Sequence, residues 1–385
     1  MSAPKRIVVK IGSSLLADTE RLVPRFAFMH GLLSDIADLK AEGHDVVLTS
    51  SGAVALGLST IGKTPGSATV LEKQAAAACG QPRLLNAYRQ VALEHGIEIA
   101  QVLVTLDDME QRRRYLNTKN TLSHLFDGSV LPIVNENDSV ATQELKVGDN
   151  DRLAAKVAQM IQADLFIILT SVDGLYDRNP DEKGAKLVEQ VEDVTGYLDV
   201  TSGASELGSG GMLTKMQAAN LAQNAGVTTI IGRGTTERPI LDLLNGKRPC
   251  TTCIAKEEAA DSFDVWLTNR LQVAGSLVVS KQAATALSGE PDTDIDAADI
   301  VSVQGEFSKG DVVHLFAENG DEIARGMSNY SANEVLMLAR DQDNSVLQLL
   351  GDKASPEIVG ADNLVVLDDN HLAWEAPEDE MLRIA

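Results

Sequence analysis

The sequence predicts an α/β fold: a mostly parallel open sheet sandwiched by helices, followed by a small β-rich domain. Three observations predict it. Residues 1–250 alternate short, continuously apolar segments with segments of helical periodicity. The apolar segments end in small polar residues. Past residue 270 the pattern changes to short strands separated by Gly, Asp and Asn turns.

The elements follow in order. Arg6–Ile11 is short, apolar and β-branched, the signature of a buried strand, and runs into the turn Gly12-Ser13-Ser14. Phe28, Leu32, Ile36 and Leu39 recur at helical spacing, and Gly43 stops that helix. Asp45–Thr49 is the next strand, ending in Ser50-Ser51-Gly52. An Ala- and Leu-rich helical stretch covers about residues 68–95, with a break expected near Gly80 and Pro82. Ile97–Thr105 is a third strand, and a helix spans Arg112–Leu125. Val130–Val134 is a fourth strand, ending in Asn135-Glu136-Asn137-Asp138. Leu153–Ile161 is helical, Leu165–Leu169 a strand, Lys215–Asn224 helical and Val227–Ile231 a strand. Continuous apolar strands between helices imply a parallel sheet covered on both faces. Ligands of such sheets bind beyond the carboxyl ends of the strands, where these small polar residues lie. The later strands are Gly275–Val279, Ile300–Val303, Val312–Phe316, Glu322–Gly326 and Leu364–Leu367. The expected division is residues 1–258, a connection over 259–274, a β-rich domain over 275–372 and a tail over 373–385.

Composition bounds the function. The 385 residues are 44% hydrophobic and 23% charged, an ordinary globular balance. At ~150 residues per domain, two or three domains are expected. The net charge of −23 disfavours polyanion partners, although a local cationic cluster can still bind a small anion. The charge is uneven: residues 270–385 hold 7 Lys plus Arg and 22 Asp plus Glu, against 26 and 34 in residues 1–269. Three cysteines exclude a disulfide framework. Without a signal-type or membrane-spanning apolar run, the expected location is cytoplasmic and no membrane partner is expected.

No Walker A, H-E-x-x-H, H-R-D or D-F-G pattern is present. What remains is a glycine loop, Gly208-Ser209-Gly210-Gly211-Met212-Leu213-Thr214-Lys215, leading into a helix. Glycines let backbone N–H groups approach an anion, and the helix end adds a positive dipole. A Lys at a helix start is unfavourable unless an anion joins it; the alternative is a flexible loop with a solvated lysine. Lys10 ends a buried strand, where an unpaired ammonium is costly. It needs an anionic ligand or, alternatively, a purely structural carboxylate partner. Asn135–Asp138 and Gly148-Asp149-Asn150-Asp151 are two carboxamide and carboxylate clusters, suited to an ammonium, a Mg²⁺ shell or a lysine amine. The second is also what a helix amino-terminal cap looks like. Cys250-x-x-Cys253 lacks a second ligand pair and is not read as a metal or redox site. Arg112-Arg113-Arg114 reads as a solvated or ion-paired helix face.

Taken together, Val8-Val9-Lys10-Ile11-Gly12-Ser13-Ser14, Thr49–Val54, Ile133–Val140, Lys146–Asp151, Gly174-Leu175-Tyr176 and Gly208–Lys215 resemble the amino acid kinase family across about residues 5–255. Phe307–Val313 and Ile323–Gly326 resemble a PUA domain. The resemblance implies ATP-dependent phosphorylation of the γ-carboxylate of L-glutamate, the first step of proline biosynthesis, with Mg²⁺ alongside ATP and no metal held by the protein's own ligands. It implies catalytic roles for Lys10, Lys215 and Asp151, the last orienting both lysines. Ser51, Asp138 and Asn150, with Asn135 and Asp149 nearby, would hold glutamate. Lys10, Thr170, Ser171 and Ser209, Gly210, Gly211, Met212, Leu213, Thr214 and Lys215 would hold ATP. An Asp commonly follows the strand-end Thr in this family; here it is Ser171. The resemblance further implies a homo-oligomer (dimer or tetramer) and proline as feedback inhibitor. A carboxylate needs no general base to act as nucleophile at pH 7, which suits a constellation with two lysines and no clustered histidine. Other carboxylate or carbamate kinases of the same fold are the alternative. RNA binding, which PUA domains suggest, is opposed by the acidity of residues 270–385.

Overall fold

The structure, a computed structural model, describes residues 5–18, 21–64, 66–141, 149–178, 182–202, 211–256, 267, 273–289, 293–340, 357–367 and 382–383. The chain divides into two compact units, Met1–Ser262 and Phe263–Ala385.

The first unit is built on an eight-stranded sheet. Its strands are β1 (Arg6–Ile11), β2 (Asp45–Thr49), β3 (Ile99–Val104), β4 (Leu131–Glu136), β5 (Leu165–Thr170), β6 (Gln190–Val191), β7 (Thr228–Arg233) and β8 (Cys250–Cys253). They lie in the order β3-β4-β2-β1-β5-β7-β8-β6. All pairings are parallel except β7 with β8. The central strands β1, β2, β4 and β5 are buried along nearly their whole length, because helices cover both faces. Lys10 stands in register with Thr49 of β2 and Ile168 of β5, so three carboxyl ends converge beside it.

The helices are α1 (Ser13–Leu16), α2 (Phe26–Ala41), α3 (Ala53–Gly57), α4 (Val70–Glu94), α5 (Leu106–Glu110), α6 (Arg112–Asp127), α7 (Asp149–Met160), α8 (Thr195–Ser202), α9 (Gly211–Asn224) and α10 (Leu241–Leu244). Leu32, Leu33 and Ile36 of α2 and Leu84, Tyr88 and Val91 of α4 pack against Val9, Leu48 and Ile133 of the sheet. Gly43, with φ 87°, closes α2 as expected. Helix α4 opens with a capping box in which Glu72 N donates to Thr69 Oγ1 and Thr69 N donates to Glu72 Oε2.

Three readings of the sequence need correction here. Helix α4 runs unbroken through Gly80 and Pro82. Its Gly80 lies against α3, so close that a Cβ there would meet the Ala53 carbonyl oxygen at 1.8 Å. Tertiary packing outweighs the ~3 kcal/mol that a proline costs inside a helix. Helix α9 starts at Gly211, so Gly211 to Thr214 form its first turn and Lys215 is not at its start. Helix α7 starts at Asp149, four residues before the predicted Leu153.

In the second unit, β9 (Gly275–Val279), β10 (Ile300–Gly305), β11 (Val312–Ala317), β12 (Glu322–Met327), β13 (Leu364–Val366) and β14 (Leu382–Arg383) form a six-stranded sheet in the order β13-β12-β11-β9-β10-β14. Helices α11 (Lys281–Gly289) and α12 (Ala332–Arg340), absent from the sequence-based prediction, belong to it. Leu277, Val279, Val303, Val313, Leu315 and Val335 are among its core. His314, Glu322 and Arg325 form a buried polar group. Glu322 Oε1 lies 2.6 Å from His314 Nδ1 and accepts from Arg325 Nε at 2.7 Å. The expected connection over 259–274 and the tail over 373–385 lie almost wholly outside the described residues.

Candidate active site

One carboxylate organises the carboxyl edge of the first sheet. Asp151, in the first turn of α7 and 1% exposed, faces Lys10 Nζ at 2.5 Å through Oδ1 and Lys215 Nζ at 3.3 Å through Oδ2. Thr214 Oγ1 donates to the same Oδ2 at 3.0 Å, and Lys215 Nζ also donates to the Gly211 carbonyl at 2.9 Å. Burial raises the Asp151 pKa, but the two ammonium groups outweigh it and hold the carboxyl below its usual range. Burial lowers the Lys10 pKa, with the neighbouring Lys215 adding to the shift and Asp151 opposing it. A lone Lys10–Asp151 pair would be what a structural lysine makes. The second lysine changes the balance, because two ammonium groups on one carboxylate leave a net charge of +1. The first turns of α7 and α9 meet at this point, adding the positive ends of two helices. Excess positive charge beside helix amino termini is suited to phosphate.

Next to it lies a more acidic region. Ser50 N donates to the Val134 carbonyl at 2.8 Å, joining the ends of β2 and β4, and Ser50 Oγ lies 3.1 Å from the Tyr88 hydroxyl. Gly52, with φ 100°, turns the chain from Ser51 into α3, a conformation that favours glycine. Asn135 Nδ2 donates to Gln81 Oε1 at 2.8 Å, and its Oδ1 accepts from Glu136 N at 3.0 Å. A cavity of about 280 Å³ opens beside these groups, lined by Ala77, Gln81 and Pro82 of α4, Leu103 of β3, and Glu136 and Asp138. Asn150 Oδ1 is buried without a hydrogen-bond partner among the described residues.

The structure thus brings Lys10, Asp151, Gly211, Thr214 and Lys215 together, and places Ser51, Asn135 and Asp138 around the neighbouring strand ends. Thr170 ends β5, next to β1; its carbonyl accepts from Gly234 N at 2.8 Å, and Ser171 beyond it is exposed. Met212 and Leu213 lie in the first turn of α9. Ser209 and Gly210 lie outside the described residues, as does the side chain of Asp149.

The model of the amino acid kinase family matches residues 5–233, more than half of the chain. The chain belongs to the amino acid kinase family. Among the relatives of this amino acid kinase, glutamate 5-kinase of Nitrobacter winogradskyi is 41% identical over 368 residues, covering 94% of this chain and 96% of that one. Glutamate 5-kinase of Bradyrhizobium diazoefficiens is 38% identical over 369 residues, covering 95% and 98%. That of Caulobacter vibrioides is 40% identical, covering 94% and 97%. Residues 275–350 match the PUA domain.

The sequence reading of this amino acid kinase passed over several residues. Gln81, the partner of Asn135, gives no sequence signal beyond its place on α4. Lys156 does give one: it sits at helical spacing from Leu153 and Met160, on the face that must be buried. Asp173 and Arg233, at the ends of β5 and β7, form a fork with contacts of 2.6 and 3.2 Å. Cys250 and Cys253 are three residues apart on β8 and so point to opposite faces. Burial raises both thiol pKa values, that of Cys253 to about 12, which disfavours the thiolate forms at neutral pH. The described residues contain no Asp, Glu, His or Cys group fit to hold a metal ion, and no helix among them is long and apolar enough to cross a membrane.

Proposed function

We propose that this amino acid kinase transfers the γ-phosphoryl group of ATP to the γ-carboxylate of L-glutamate, giving ADP and L-glutamyl 5-phosphate, the first step of proline biosynthesis. The observation that carries the reading is Asp151 held between Lys10 and Lys215 where two helices begin. The relatives' shared name, over nearly the whole chain, supports glutamate as acceptor.

In the step itself, a γ-carboxylate oxygen of glutamate attacks the γ-phosphorus, and the bond from that phosphorus to the β,γ-bridging oxygen breaks. Two anions must approach each other, so catalysis rests on positioning and charge neutralisation. Lys10 and Lys215 neutralise the transferred group and the leaving oxygen. Asp151 keeps two mutually repelling ammonium groups in place. Asp138 receives the substrate ammonium as a charge-assisted hydrogen bond, with Ser51, Asn150, Asn135 and Asp149 on the rest of the amino acid. Thr170, Ser171 and the segment 209–215 line the nucleotide.

Mg²⁺ fits this site as an ion carried on the phosphates. Asp151 is already taken by two lysines and Thr214, and Mg²⁺ commonly binds through substrate phosphates and waters. It would supply further neutralisation of the β- and γ-phosphate oxygens. A cytoplasmic location, a homo-oligomeric state and inhibition by proline belong to the same reading.

ADP release and hydroxamate trapping of the acyl phosphate test it, with glutamate, N-acetylglutamate, aspartate and carbamate as acceptors and with proline added. The expected result is turnover with glutamate, inhibited by proline. Turnover with carbamate or N-acetylglutamate and none with glutamate would replace the reading by another kinase of the fold.

A further inference from the structure

Lys156 and Glu110 form an ion pair of 3.1 Å with side chains 0% and 6% exposed. Lys156 lies on α7 among Leu153, Ala154, Ala155, Val157 and Ala158, all buried. Two charges in such surroundings lose much hydration, and an apolar pair of similar volume is commonly as stable or more so. Stability therefore does not account for the pair, whereas the elements it joins suggest a different use.

Glu110 ends α5, a short helix fixed at its start by a Thr105–Asp108 capping box and by the Arg114–Asp108 ion pair at 2.6 Å. Helix α5 directly follows β3, whose last residue, Val104, accepts from Asn137 N at 2.8 Å, next to Asp138. Lys156 lies five residues after Asp151, ~7.5 Å further along α7. On its other side α7 is tied to α9 through Thr214–Asp151 and through Arg152–Gln217 at 3.0 Å. Helices α7 and α9 carry the phosphate end of the site, with Asn150 of α7 reaching toward the acceptor, and α5 with the end of β4 carries the Asp138 side of the acceptor. Among the described ion pairs, Glu110–Lys156 links the two directly.

We propose that Glu110 and Lys156 are positioning residues. Their buried pair fixes the rotation and depth of α7, and thereby the distance between the Lys10–Asp151–Lys215 centre and the acceptor bound near Asp138. The inference rests on the proposed phosphoryl transfer. A misplacement of about 1 Å can cost ~100-fold in rate without removing any binding contact. The signature is a loss of kcat with little change in either KM, which mere loosening of the fold does not produce.

Two variants test it. E110L/K156M removes both charges together, so neither is stranded, and E110D keeps the pair but shortens its reach. Steady-state kinetics with glutamate and ATP is measured beside urea unfolding of the full chain. Both variants are expected to keep a near-parental urea midpoint and lose at least about tenfold in kcat, with each KM within about threefold. Parental kcat in either folded variant, or a loss confined to KM, overturns the proposal. Should the double variant not fold, E110D decides. Absence of glutamate-dependent turnover in the parent chain would instead sink the functional reading, and the same comparison would then be made with the acceptor that does react.

Discussion

Asp151 holds both Lys10 and Lys215, a relation the family resemblance implied and no local pattern of residues could show. Lys10 and Asp151 are far apart in the chain and meet only because β1 lies at the centre of the sheet and α7 begins above its end. Asn135, by contrast, suggested a substrate contact, and the structure shows its amide already held by Gln81 and Glu136. Its use for substrate would add to those bonds. Replacing Lys215 by Ala should lower kcat by roughly 100-fold, as loss of a transition-state charge partner does, with urea stability changed little; near-parental turnover would remove it from the step. The depressed pKa of Lys10 has a further sign. Its charged form is lost at a lower pH than the ~10.4 of an ordinary lysine, so kcat/KM, which reports the free enzyme, should fall on the alkaline side below that value. Lys10→Arg, charged at all accessible pH, should move this limb upward in whatever activity it retains. An alkaline limb unmoved by the substitution would assign it to another group.

Helices α3 and α4 show how an element far from the phosphate can control the acceptor. A Cβ on Gly57 would meet the Ala76 carbonyl oxygen at 1.7 Å, and one on Gly80 the Ala53 carbonyl oxygen at 1.8 Å. The two backbones therefore touch, and Ser51 lies just before α3. Arg83 adds bonds from α4 to the Leu56 carbonyl and to Ser59 Oγ. These contacts keep α4 unbroken past Pro82, which has no N–H to give the Ala78 carbonyl; both residues line the cavity. Gly80→Ala should destabilise the first unit by about 1–3 kcal/mol through overpacking and raise the glutamate KM by displacing the Ser51 turn. Parental urea midpoint and KM would show that the crossing yields freely. Local sequence could not reveal this: Gly80 and Pro82 carry the marks of a helix break, and only the opposing face of α3 overrides them. Likewise α9 begins at Gly211, four residues before the predicted start, since glycines read locally as loop.

At the scale of the whole molecule, the α/β sheet followed by a β-rich unit was readable, because continuous apolar strands and then Gly- and Asp-bounded ones differ in burial on one or two faces. The antiparallel β8 was not, since nothing in Cys250–Cys253 tells which neighbour it joins or in which direction. Charge was also readable and has a consequence. The excess of 22 acidic over 7 basic residues beyond residue 269 opposes nucleic acid despite the match to the PUA domain. In tRNA titrations at low salt the full chain should show no binding with a steep salt dependence; such binding would mean that a local basic face outweighs the total. The order of strands bears on biosynthesis as well. Among the described residues, every strand of the large sheet is encoded before residue 254, and β6 pairs only with the late-coming β8. The ribosome then needs on the order of ten seconds to make the remaining residues, at ~5–20 per second. During that interval the kinase sheet can close on the nascent chain, before the acidic unit is complete enough to fold.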